Sequence, residues 1–114
     1  MKTLTKKQFV NILADNETAL IYANTNAAED ITEKIIETAK NEHKRLQNEG
    51  EFRRLIVSTP TYIQFSNGSK YYFLKGTKFF LVNDNLLIAV RQHNENFDFS
   101  TAWGYVVYLL KDKE

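Results

Sequence analysis

The chain contains no cysteine, a single proline and four glycines among its 114 residues. Without cysteine there is no disulfide, no thiolate nucleophile and no thiolate metal site, and the chain suits a reducing compartment. The glycines, Gly50, Gly68, Gly76 and Gly104, are scattered, so they do not make a phosphate-cradling loop. Long apolar runs are missing as well, since nothing approaches the roughly 18 residues of a membrane span. The basic opening Met1-Lys2-Thr3-Leu4-Thr5-Lys6-Lys7 has no apolar segment behind it and does not read as a secretory leader. Nor does either charge dominate. Fifteen Lys and Arg against fourteen Asp and Glu leave a formal charge of +1, so no global field favours nucleic acid, a membrane surface or an acidic substrate. These absences lead to the expectation of a cytoplasmic protein without a cofactor and without a membrane partner.

What is present suits one globular domain over residues 1–114, with 43% apolar and 25% charged residues. The first half, 5–48, reads as helical. Thr5 is placed as a helix N-cap with Gln8 three residues on, a capping box, and Leu4 and Phe9 flank it as a hydrophobic staple. This short helix turns Phe9, Ile12 and Leu13 inward and stops near Asp15-Asn16. Residues Ala19 to Ala23 are read as a short strand. A long helix then starts after Asn26, with Glu29 as capping partner and Gly50 just beyond its end at about Asn48. Its stripe of Ala28, Ile31, Ile35, Ala39 and Leu46, with Ile36 beside it, buries one face. Glu33, Lys34, Glu37, Lys40 and Lys44 stay in water.

The second half, 52–110, reads as strands. Ser66-Asn67-Gly68-Ser69 predicts a two-residue type I′ hairpin, because Asn-Gly accepts positive φ angles. Lys75-Gly76 and Asp84-Asn85 predict two more turns. Pairing outward from the three turns puts Ile63, Phe65, Tyr72, Leu74, Phe79, Leu81, Ile88 and Val90 on one face, broken only by Lys70. The result is a four-stranded meander from Thr61 to Arg91. Arg53 to Ser58 and Thr101 to Leu110 add two strands, and the last, apolar on both faces, belongs inside the sheet or under cover on both sides. The expected fold is therefore α+β: an antiparallel meander of five to six strands with one long and one short N-terminal helix packed on it.

Signatures of catalysis are sparse. His43, at the edge of the buried helical stripe, reads as a half-buried helix residue. His93, Glu95 and Asp98 share one loop and are residue types that bind metal or act as bases. A solvated connection is the simpler account of that loop, and no second histidine cluster supports a metal. No catalytic, cofactor-binding or metal-binding residue is assigned.

The informative feature is the other face of the same register, which gathers Tyr62, Gln64, Tyr71, Phe73, Lys78, Phe80, Val82, Leu87, Ala89 and Arg91. Large aromatics edged by basic groups admit three readings. The short helix covers them as a second core layer; or they form a protein-binding patch; or they stack the bases of single-stranded nucleic acid. The few cations make the third thin for counterion-driven affinity. The expectation is a non-enzymatic protein that binds a protein partner through Tyr62, Gln64, Tyr71, Phe73, Lys78, Phe80 and Arg91. A nucleic-acid-binding module is the alternative, and self-association through the same face is a further outcome. In general character the chain is similar to the small inhibitors and regulators of phages and mobile elements, although no residue string identifies a family.

Overall fold

A computed structural model describes residues 1–24, 31–73, 76–91 and 104–112. The chain begins with β1 (Lys2–Leu4) and α1 (Lys6–Asp15). The capping box forms as its residue types require: the Gln8 amide donates to Thr5 Oγ1 at 3.1 Å and the Thr5 amide to Gln8 Oε1 at 2.9 Å. Leu4 and Phe9, on either side of the cap, are buried in one cluster. At the other end the Asn16 side-chain amide donates to the Ile12 carbonyl at 2.7 Å and closes the helix.

Next comes β2 (Glu17–Asn24), which contains the strand read at 19–23, and then α2 (Ile31–Glu49). The expected start of this helix, with Ala28 and Glu29, lies outside the described residues. Its end is a Schellman closure on Gly50, whose φ is +65°. There the Glu51 amide donates to the Leu46 carbonyl at 3.0 Å and the Gly50 amide to the Gln47 carbonyl at 3.3 Å. The remaining elements are β3 (Arg53–Ser58), β4 (Tyr62–Phe65), β5 (Lys70–Tyr72), β6 (Lys78–Asn83), β7 (Leu86–Arg91) and β8 (Gly104–Leu110).

The architecture is α+β with an antiparallel sheet, but the sheet has eight strands rather than five or six, in the order β1-β6-β7-β8-β2-β3-β4-β5. It is not a meander. β1 takes the edge of β6 that a Lys75-Gly76 hairpin would have given to β5, so β5 and β6 are not neighbours. Leu74 and Lys75 lie outside the described residues. β8 sits between β7 and β2, inside the sheet as its two apolar faces demand. Residues 101–103, expected at its start, are outside the described part.

The helices cover opposite faces. α1 fills one with Phe9 and Leu13, both fully buried, against Leu4, Ile63, Phe65, Tyr71, Phe79, Leu87, Ala89, Tyr108 and Leu110. α2 covers the other with Ile35, Ala39 and Leu46. Ile36 packs alongside, and Glu33, Lys34, Glu37, Lys40 and Lys44 are exposed as expected. The cluster under α2 draws on Phe52, β2, β6, β7 and β8, with no residue of β3, β4 or β5. Strand pairing explains this limit. β2 meets β3 at two register positions, Glu17 with Arg54 and Thr18 with Arg53.

Two local irregularities overturn the expected registers. In the β4–β5 hairpin, the Gly68 amide donates to the Phe65 carbonyl and the Phe65 amide to the Ser69 carbonyl, both at 2.9 Å. Gly68 alone takes the left-handed conformation, at φ +88°, and no described non-glycine residue has positive φ. The loop is thus three residues closed by a glycine, not a two-residue type I′ turn. Pairing moves by one residue, to Ile63 with Tyr71 and Tyr62 with Tyr72. In the β6–β7 hairpin the turn at Asp84-Asn85 is as expected, with Asn83 opposite Leu86, but the register shifts between Leu81 and Asn83. Beyond that bulge Phe79 pairs with Ala89 and Phe80 with Ile88. Since side chains alternate at each residue, either slip exchanges the two faces.

Candidate functional site

The slip in the β4–β5 hairpin and the cover that α2 provides together disperse the residues expected to form one binding patch. Phe80 is 7% exposed and lies in the cluster under α2. Tyr71, 3% exposed, lies on the α1 side instead. Phe73 packs beside it, with ring centroids 5.3 Å from Tyr71 and 5.7 Å from Phe79, and the Lys6 ammonium 4.6 Å above its ring. Tyr71 and Phe80 are core and Phe73 is partly buried against it, so the expectation of a common exposed face through them is corrected accordingly. Lys78 is exposed at the start of β6, opposite Val90. Arg91 ends β7 opposite Gly104, with its side chain outside the described part. The His93, Glu95 and Asp98 loop is likewise outside.

Tyr62 and Gln64 remain at the surface, and the true register gives them different neighbours. Ile63, Phe65 and Tyr71 turn to the α1 core, so alternation sends Tyr62, Gln64, Lys70 and Tyr72 to the opposite, outer face. Direct pairing sets Tyr62 opposite Tyr72 and Gln64 opposite Lys70. The tyrosine rings are 5.6 Å apart and tilted by 43°. Above Tyr62, 5.0 Å from its centroid, sits the Lys70 ammonium. An exposed cation over a ring contributes about 0.5–1 kcal/mol, and a ring pair about 0.5–1.5, enough to order the group while it faces water. Tyr72 is 53% exposed, and Ile56, at the irregularity where β3 meets β4, is 58% exposed. Arg54 is exposed next to these strands, and its register partner Glu17 is taken by Lys111 at 3.2 Å.

Reasoning from residues alone placed Tyr62 and Gln64 here and missed Tyr72, Lys70 and Ile56. One signal was visible. Lys70 broke an otherwise apolar face in the assumed register, and a shift of one residue takes that lysine to water and brings in Tyr71.

Other surface features offer less chemistry. A groove of about 670 Å³ runs between the end of α1 and β3, lined by Asp15, Glu17, Arg54 and Lys111 among others. A smaller cavity of about 270 Å³ lies between α2 and the β6–β7 turn, with Ile36, Ala39, Leu86 and Leu109 below His43, Asp84 and Asp112. His43 Nε2 is 3.3 Å from the Asp112 carboxylate but not aligned for a hydrogen bond, whereas the Asn85 amide donates to the same carboxylate at 2.8 Å. Among the described residues no serine, threonine or cysteine lines this cavity to serve as a nucleophile for the His–Asp pair. Among the described residues no three His, Asp or Glu side chains are grouped to hold a metal, and no helix is long and apolar enough to cross a membrane. Arg45 on α2 has its pKa raised, first by its hydrogen bond to Glu42, which ties it into the helix surface.

No protein-family model, curated protein or solved structure matches the chain.

Proposed function

We propose that the protein is a non-catalytic binding protein that engages a protein partner through the outer face of β3–β4–β5. The observation that carries this reading is the tilted ring pair of half-buried Tyr62 and exposed Tyr72 with Lys70 above it, on the part of the sheet beyond the core under α2. Tyrosine supplies large contact area for few rotatable bonds, and rigid aromatic anchors beside cations are the residues that concentrate binding energy at protein interfaces. Ile56 enlarges the apolar part, and Gln64 offers an amide between the aromatic and basic groups. Two tyrosines and one lysine make a small platform for nucleic acid, and the charge of +1 adds no field to draw in a polyanion.

Affinity capture from host cells tests the proposal, comparing the wild type with Tyr72→Ala and with Glu37→Ala on the exposed side of α2. A protein held by the wild type and by Glu37→Ala should be lost with Tyr72→Ala, at a cost of about 2 kcal/mol or more for an anchor residue. Thermal melts of the same proteins should agree to within about 5 °C, as a cost under about 1 kcal/mol implies. Equal capture by all three would place the working surface elsewhere. Binding of an oligothymidylate at physiological salt, abolished by Tyr72→Ala, would replace the protein partner by nucleic acid.

A further inference from the structure

The outer face ends at β5, one of the two edges of the sheet. The bonds bracketing the β4–β5 ladder show which way its main chain points. The Phe65 amide donates to the Ser69 carbonyl, and the Phe73 amide to the Thr61 carbonyl, both at 2.9 Å. In an antiparallel pair the hydrogen-bonded positions alternate, so Ile63 and Tyr71 bond each other between those two positions. The amides and carbonyls of Lys70 and Tyr72 therefore turn away from β4, toward the rim of the sheet. Neither residue has a further main-chain partner among the described residues. The rim thus offers two donors and two acceptors, spaced to receive an extended chain, directly beside the side chains of Lys70 and Tyr72.

Resting on the binding face proposed above, we infer that the partner supplies an extended, acidic segment that adds to β5 as a ninth strand. Strand addition draws affinity from main-chain bonds and specificity from the alternate side chains. On the outer side the added segment meets Lys70 and Tyr72. Lys70 has no carboxylate within salt-bridge reach among the described residues, and Arg54 on β3, two strands in from the rim, has none either. A carboxylate opposite Lys70 and an aromatic or apolar group opposite Tyr72 complete that row. Two copies joined at β5 would bring Lys70 of each to the same edge, and neither β5 supplies a carboxylate to meet it. Charge therefore favours an acidic partner over a second copy.

The probe is a terminally blocked heptapeptide, Val-Glu-Val-Tyr-Val-Glu-Val, palindromic so that it presents the same groups in either strand direction. Amide exchange in the intact chain is followed by NMR as the peptide is added. The amides of Lys70 and Tyr72 should exchange about tenfold more slowly at saturation, as newly bonded groups do. The same peptide with Lys in place of Glu should give no protection. Lys70→Pro removes the rim donor and leaves the β4 ladder in place. It should bind the peptide about tenfold more weakly than Lys70→Ala, which lacks the cation but keeps the amide, since one hydrogen bond to a charged or ordered group is worth about that factor. Protection absent at Lys70 and Tyr72, equal protection by both peptides, or equal binding by the Pro and Ala variants would each overturn strand addition. The wild-type exchange measurement stands even if Lys70→Pro does not fold. Loss of the captured partner with Tyr72→Ala, without amide protection, would leave the binding face in place and remove only the ninth strand. A dimer that protects the same amides without peptide would put a second copy there instead.

Discussion

Replacing Tyr71 and Tyr72 separately by alanine tests the hairpin register at two adjacent residues. Tyr71 is 3% exposed, edge-on to Phe73 at 5.3 Å and packed in the cluster that surrounds Phe9. Burying an aromatic side chain removes about 150–250 Å² from water, about 4–6 kcal/mol at 25 cal/mol per Å². Alanine retains part of that burial and leaves a cavity, so Tyr71→Ala should destabilise by about 3–5 kcal/mol. Tyr72, 53% exposed, loses one stacked ring partner and should cost under about 1 kcal/mol. Urea unfolding followed by circular dichroism reads the difference. With a slope of about 1–1.5 kcal/mol/M, Tyr71→Ala should lower the midpoint by about 2 M or more, while Tyr72→Ala shifts it by less than about 1 M. A two-residue turn centred on Asn67-Gly68 forecasts the reverse order. If Tyr72→Ala proves the costlier change, or if both cost less than about 1 kcal/mol, the three-residue loop and the outer face built on it are wrong.

Phe79→Ala and Phe80→Ala should each cost about 3–5 kcal/mol in the same assay, because the two adjacent rings are buried in opposite clusters; near-wild-type stability for Phe80→Ala would mean that α2 does not cover it. Gly68→Ala should cost about 1–2 kcal/mol through the backbone alone, since the residue is at φ +88° and an added Cβ would meet nothing within 4 Å. Differential scanning calorimetry showing no loss would mean that the loop closes in another conformation.

Much of the architecture was legible because several signals there act over a few residues. The Thr5–Gln8 box, the α2 stripe from Ile35 to Leu46, the Gly50 closure and the doubly apolar β8 follow from the composition of single segments, and each is found. The two errors of register are of another kind. A type I′ turn and a three-residue loop closed by glycine both use Asn-Gly, and they differ by one residue in what they pair. The bulge next to Val82 leaves the turn at Asp84-Asn85 unchanged and alters everything beyond it. Strand order was also illegible in part. The β1 segment Lys2–Leu4 is three residues long, too short for alternation to be read, yet its pairing with β6 separates β6 from β5. The candidate site inherited these errors, since it was defined by which side chains share a face. Tyr62 and Gln64 stayed outside because their strand, β4, was assigned the right parity. Tyr71 and Phe73 came from a segment whose parity was inverted, whereas Phe80 was assigned the right face and is lost to the patch because α2 covers it.

The corrected register also separates the two jobs of the β4–β5 hairpin. Its inner side chains, Ile63, Phe65 and Tyr71, are buried against α1 and anchor strands of only four and three residues. A hairpin that short has little stability of its own, so this inner row holds it in place. The outer row of Tyr62, Gln64, Lys70 and Tyr72 contributes little to that anchoring. Substitution there is constrained mainly by solubility, which would favour small polar or charged residues over a stacked tyrosine pair. Tyr72 is exposed and Tyr62 half-buried, and what orders them is each other and a lysine rather than the core. On the proposed function, a partner covering this face would gain the energy of burying them, and the inner row would hold the hairpin in place without refolding.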